Sequence, residues 1–182
     1  MSKKLLLLLL VTVLSVAACA DNANTKTAPN VQATLKVDLG TVVRTGTVVP
    51  VDGITSAGQP DEAAFSVFAD QGYTTVIDLR AEDEDRGLDE SAVLDRLGMT
   101  YFKLPVADED TVSYDTARKL DQLIEASDGP FLIHCKSGNR VGALLALRKS
   151  LDGADDAAAM AYGKEGGMTR LEGRVKEVLR KD

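Results

Sequence analysis

Phe131-Leu132-Ile133-His134-Cys135-Lys136-Ser137-Gly138-Asn139-Arg140-Val141-Gly142 decides how this chain is read. An apolar, β-prone run ends in His134-Cys135. A short polar loop with one glycine follows and closes on Arg140. Apolar residues then recur at helical spacing: Val141, Ala143, Leu144, Leu145 and Leu147. The pattern predicts a strand, a tight loop and a helix start. That geometry builds an anion site, because loop N–H groups converge and the helix N-terminus adds partial positive charge. Cys135 is placed there as a nucleophile. Arg140 offers a planar fork to a tetrahedral oxyanion. A cysteine ending a buried strand is most often just a small core residue. The combination of Cys, Gly and Arg at these offsets is what points to chemistry.

Upstream, residues 61–71 read as a helix with Phe65, Phe68 and Ala69 on one face, and residues 73–80 as a central strand. Residues 81–87 read as a solvated acidic loop holding Glu82, Asp83, Glu84 and Asp85. A helix over residues 88–97, a strand over 99–104 and a helix from Ser113 or Asp115 to about 126 lead back to the opening stretch. Helices over residues 141–151, 154–162 and 168–179 close the chain. Loose β-branched alternation over residues 31–51 predicts one or two short strands, such as Val42-Val43 and Thr47 to Val49. Residues 54–60 read as a turn segment. The alternation of strands and helices predicts an α/β fold, with a central, largely parallel sheet of about four to five strands flanked by helices. Ligands in such folds bind beyond the carboxyl ends of the strands. Arg80, Asp108 and Cys135 each follow such an end.

The 182 residues carry a net charge of −7, which argues against a nucleic-acid partner. An anionic substrate must then be drawn in by local charge. The N-terminus reads as an export signal: Lys3 and Lys4 precede an apolar stretch over residues 5–16, too short to span a bilayer comfortably. The chain has 2 Cys and 1 His, so no Cys-rich or His-cluster metal site is expected, and no cofactor is called for.

Two resemblances add to this reading. Val16-Ala17-Ala18-Cys19 resembles the lipobox of bacterial lipoproteins. It implies a signal peptide over residues 1–18, a lipidated Cys19 and a flexible tether over 19–30, leaving a catalytic domain over 31–182. The implied place is a periplasm-facing membrane lipoprotein, the outer membrane favoured, with a soluble exported protein as the alternative. His134-Cys135-Lys136-Ser137-Gly138-Asn139-Arg140, together with residues 54–60, 73–80 and 101–108, resembles the cysteine-dependent protein tyrosine and dual-specificity phosphatases. Within them it is similar to the bacterial branch that includes the phosphatase-like domain of beta-lactamase-hydrolase-like proteins. The resemblance implies that Cys135 attacks phosphorus and forms a thiophosphoryl enzyme. Lys136, Ser137, Gly138, Asn139 and Arg140 would bind the phosphate of the substrate, with His134 behind the loop. Asp108, in Leu104-Pro105-Val106-Ala107-Asp108, would be the general acid, with Asp110 next and Glu109 third. Arg80 reads as a structural arginine, or else as a second anion contact. The phosphatase loop usually has one more residue between Cys and Arg, and Ser or Thr usually stands where Val141 does. The shorter loop is also that of rhodanese-type sulfurtransferases, which would make Cys135 a persulfide carrier. A catalytically inactive module binding an anion or partner is the third reading.

Overall fold

The computed structural model of the chain describes residues 49–181. The signal peptide, Cys19, the tether and the strand expected at Val42-Val43 lie outside the described residues. β1 (Val49–Val51) and β2 (Ile54–Ala57) form an antiparallel hairpin. They are followed by α1 (Glu62–Asp70), β3 (Thr75–Asp78), α2 (Glu90–Arg96), β4 (Thr100–Lys103), α3 (Tyr114–Glu125), β5 (Phe131–His134) and α4 (Asn139–Leu151). Helices α5 (Asp156–Glu165) and α6 (Glu172–Leu179) complete the order. The sheet runs β1-β2-β5-β3-β4, and every pairing except β1 with β2 is parallel. The expected α/β architecture is therefore the observed one.

One expectation is corrected. Residues 54–57, read as part of a turn, form a fully buried strand paired with β5 through Thr55 to Leu132 and Ala57 to His134. Gly53 and Gly58 bracket a run too short for its alternation to register, and the pairing partner lies some eighty residues on.

Strand side chains alternate between the two faces. Val76 and Leu132 pack with Phe65 and Phe68 of α1 and with Val93 and Leu94 of α2. Ile77 and Ile133 pack under α3, α4, α5 and α6. Helix α4 is buried on nearly every side, with Leu144, Leu145 and Leu147 wholly out of solvent. Each of those leucines contributes about 1.5–3 kcal/mol by its burial.

Side-chain caps set the starts of α1, α2, α3 and α5, where Asp61, Asp89, Ser113 and Asp155 accept from the amide three residues on. Helix α4 has no such cap. Gly138 stands at its N-cap in the left-handed region at φ 80°, a conformation that a side chain would strain. The first amides of α4 are thus not taken by a capping side chain, as an anion site at this end requires.

Candidate active site

β5 delivers His134 and Cys135 to the carboxyl edge of the sheet. The Cys135 amide donates to Ala57 O at 3.3 Å, the Gln59 amide donates to Lys136 O at 3.3 Å, and Gly58 bridges to Ser137. The loop is therefore fastened along one flank to the end of β2. The Gly138 N–H donates to Cys135 Sγ at 3.1 Å. Cys135 is 1 % exposed.

Arg140 is oriented by one carboxylate of the acidic loop, whose composition alone predicts solvation. Glu84 grips the end of its guanidinium with both carboxylate oxygens, Oε2 accepting from Nη2 at 2.9 Å and Oε1 from Nη1. The second Nη1 proton goes to Val106 O at 3.0 Å. A guanidinium has five N–H groups. Three are spent in this way, leaving the Nε proton and one Nη2 proton side by side on one edge, the fork that suits two oxygens of a phosphate. Burial works against the Arg140 charge, but Glu84 and Cys135 outweigh it and raise its pKa. The hydrogen bond from Arg140 outweighs the desolvation of the partly buried Glu84, and its pKa falls to about 2. Glu84→Gln keeps the shape but loses the charged grip. It should lower kcat/KM for an aryl phosphate about 10–100-fold, because a small misplacement of an orienting group is felt in the transition state.

Arg80 is a structural arginine. It is buried and donates to Glu84 Oε2 at 3.1 Å, Gln59 Oε1 at 2.5 Å and Asp85 O at 2.7 Å. So the acidic loop is only partly solvated: Glu84 and the Asp85 carbonyl are held by Arg80, while Glu82 meets Lys103 on the surface. An acidic run carries no sign of which carboxylate turns inward, so composition could not single out Glu84.

Behind the thiol loop lies a buried polar cluster. His134 Nε2 meets Glu90 Oε1 at 2.7 Å and lies 3.7 Å from Asp78 Oδ1. Asp78 accepts from Arg86 Nε at 2.8 Å, from the Tyr101 hydroxyl at 2.9 Å and from the Arg80 amide at 2.8 Å. Gln59 donates to Glu90 Oε2 at 3.0 Å. Burial pushes the Glu90 carboxyl up, but His134, Gln59 and Arg86 outweigh it and hold it below its usual range. The donor atoms of Asp78, Glu90 and His134 lie within 4.8 Å of one another, a spacing that would suit a metal ion. Arg86 supplies positive charge at that point, 2.7 Å from Asp78 and 3.9 Å from Glu90. His134 thus ties the end of β5 to an ion-pair network through Nε2, while its buried Nδ1 has no hydrogen-bond partner among the described residues.

A cavity of about 250 Å³ opens in front, lined by Asp108, Glu109, Lys136, Ser137, Asn139, Arg140 and Arg170 among others. Asp108 therefore meets Lys136, Ser137 and Arg140 at one cavity. Its Oδ1 accepts from the Thr111 amide at 2.9 Å, which fixes the carboxylate in a turn. Asp110 does not line this cavity. Its carboxylate is almost wholly exposed and lies 3.9 Å from Arg174. The Asn139 side-chain oxygen is taken by the turn before α6: its Oδ1 accepts from the Thr169 and Arg170 amides at 2.8 Å each and from the Leu171 amide at 3.4 Å. Val141 is wholly buried in the core.

A family model described as "DSP-PTPase phosphatase fused to NAD+ Kinase" matches residues 53–177. The chain belongs to this dual-specificity and protein-tyrosine phosphatase family. Among its relatives, the beta-lactamase hydrolase-like protein of Xylella fastidiosa is 36% identical over 113 residues, covering 58% of this chain and 26% of that protein. The namesake from Agrobacterium fabrum is 33% identical over 104 residues, covering 55% of this chain and 24% of that protein. The chain thus spans about a quarter of the length of these curated relatives. Among solved structures, a candidate phosphatase from Neisseria meningitidis superposes with a TM-score of 0.60 at 20% identity, covering 72% of this chain and 99% of that one. TpbA of P. aeruginosa, solved in complex with phosphotyrosine, gives a TM-score of 0.50 at 20% identity, covering 70% and 78%. At that identity the likeness is one of phosphatase fold.

Proposed function

We propose that this chain hydrolyses a phosphate monoester through a thiophosphoryl-enzyme intermediate on Cys135. The observation that carries the reading is the convergence of the Gly138 N–H on Cys135 Sγ beside an Arg140 whose free edge is set by Glu84. The Cys135 thiolate attacks phosphorus, the ester P–O bond breaks, and Asp108 gives its proton to the departing oxygen. Arg140 and the loop amides hold the phosphoryl oxygens, which carry the charge in the transition state. Water then attacks phosphorus, Asp108 takes the proton from that water, and the S–P bond breaks to return the thiolate and release phosphate. No hydroxyl follows Arg140 in the sequence, so the departing thiolate is received by the Gly138 N–H and Arg140. The phosphotyrosine bound to TpbA supports a phosphate-bearing substrate, protein or small molecule.

Asp108→Asn should slow hydrolysis of an alkyl phosphate about 10²–10⁴-fold, and that of an ester with a good leaving group much less, since only the former needs the acid. Equal losses on both esters would remove Asp108 from the role. The spacing of four residues between Cys135 and Arg140 keeps the sulfurtransferase reading in view. Phosphate release from an aryl phosphate, against thiocyanate formed from thiosulfate and cyanide, decides between them in one pair of assays. Neither product, with vanadate raising Tm, supports the inactive binding module.

We further read residues 1–19 as directing export and lipid attachment at Cys19, placing the domain on the periplasmic side of a membrane. No helix among the described residues is long and apolar enough to cross a membrane. Cys19→Ser should move the protein from the membrane fraction to the soluble one, and an unchanged membrane share would sink the anchor.

A further inference from the structure

Arg170 lines the same cavity as Arg140, Lys136 and Ser137. It sits in the turn before α6, some thirty residues beyond Arg140 and outside the Cys135–Arg140 motif. Its side chain has no hydrogen-bond or ion-pair partner among the described residues, and only its amide is engaged. Arg140, by contrast, has its charge countered by Glu84. In a chain of net charge −7, an uncountered guanidinium at the mouth of an anion cavity is a local attraction that the overall field does not supply.

The turn carrying it is held rigidly to the loop. Asn139, next to Arg140, accepts the amides of Thr169, Arg170 and Leu171 on one oxygen. Gly167 lies so close to the loop that a Cβ there would stand 3.2 Å from Gly138 O. Ser56 Oγ donates to Gly166 O at 2.7 Å and fixes the start of the same turn to β2. The distance between the Arg170 and Arg140 backbones is therefore set by the fold, while the side chain of Arg170 stays available. Such preorganisation lowers the ordering cost of a second contact. Asp108 and Glu109 also line the cavity, but Asp108 is turned onto the Thr111 amide and neither carboxylate pairs with Arg170.

We propose that Arg170 is a specificity-determining residue: it forms a second anion subsite that selects phosphate esters bearing another anionic group beside the scissile phosphate. The proposal rests on the phosphatase reading of the Cys135 loop. A second phosphate and a carboxylate share the chemistry that a guanidinium recognises, as planar or tetrahedral oxyanions taken by a fork of N–H groups.

The test uses the full chain carrying Cys135→Ser, which binds without turning over. Phenyl phosphate, meta-carboxyphenyl phosphate and meta-phenylene bisphosphate are titrated by calorimetry. The ester or esters with a second anion should bind about tenfold more tightly than phenyl phosphate, beyond the about twofold statistical advantage of two equivalent groups. Whichever of the two shows the gain identifies the second anion. Adding Arg170→Ala should collapse that ratio toward one. Arg170→Lys should restore part of it, and added salt should shrink it as expected of an exposed charge. Tm should move little with Arg170→Ala, since the side chain is exposed and makes no hydrogen bond or ion pair among the described residues. Equal affinities for all three esters, or a ratio that survives Arg170→Ala, would overturn the subsite and leave the phosphatase reading standing. A protein that binds none of the esters, phenyl phosphate included, would overturn both.

Discussion

Replacing Cys135 by serine should lower turnover of an aryl phosphate by at least about 10³-fold, because a hydroxyl in the same place is a far poorer nucleophile at neutral pH. The loss should lie in kcat. The Gly138 amide, the Arg140 fork and the Glu84 grip are all untouched by the exchange, so the variant should still bind inorganic phosphate. Its Tm should lie within a few degrees of that of the parent, since the two side chains differ by one buried atom. Wild-type protein quenched in acid during turnover should carry one phosphoryl group on Cys135. Full activity in Cys135→Ser would end the covalent mechanism. A protein that instead gains one sulfur after thiosulfate, and loses this gain with the serine, would identify the loop as a sulfur carrier.

The second large effect is on stability. Gly142 lies where α4 crosses the turn between α5 and α6. A Cβ built there would stand 2.3 Å from the Met168 amide nitrogen and 2.4 Å from Gly163 O. Both obstacles are backbone, so neither can swing aside. Gly142→Ala should therefore cost more than the about 1–3 kcal/mol usual for overpacking. For a domain of this size that corresponds to a fall in Tm of roughly 10 °C or more, readable by thermal unfolding. The alanine raises helix propensity, so a rise in Tm would mean that the helices are not in contact there. Gly173, with nothing near its would-be Cβ, is the control: Gly173→Ala should be neutral or stabilising.

Much of this was legible in the chain. The parallel sheet follows from strand and helix periodicities that tertiary contacts did not override, as in residues 75–78 and 131–134. The Cys135–Arg140 loop is local, so an anion site could be read there from residue types and spacing. What escaped depends on partners distant in sequence. Ile54–Ala57 is a strand because β5 lies beside it, and its four residues alone look like a turn. Glu84 differs from its acidic neighbours only in what it meets, an arginine more than fifty residues away. Asn139 stands among the loop residues that the family resemblance makes phosphate contacts. Its amide is still at the helix start, but its side chain answers to a turn some thirty residues on. Arg80 came out as the structural arginine, not a second anion contact.

That single oxygen of Asn139 has a bearing on how the protein matures. Residues 169–171 hold the side chain next to Arg140, and they follow every strand of the described sheet along the chain. Until they dock, the start of α4 has an amide group with no fixed orientation, and the cavity lacks one wall. A nascent chain can thus assemble its sheet while its cradle is still unfinished. Competence to bind an anion should therefore appear late and abruptly, with the closing turn, and an arrested chain ending before Met168 should show sheet formation without it.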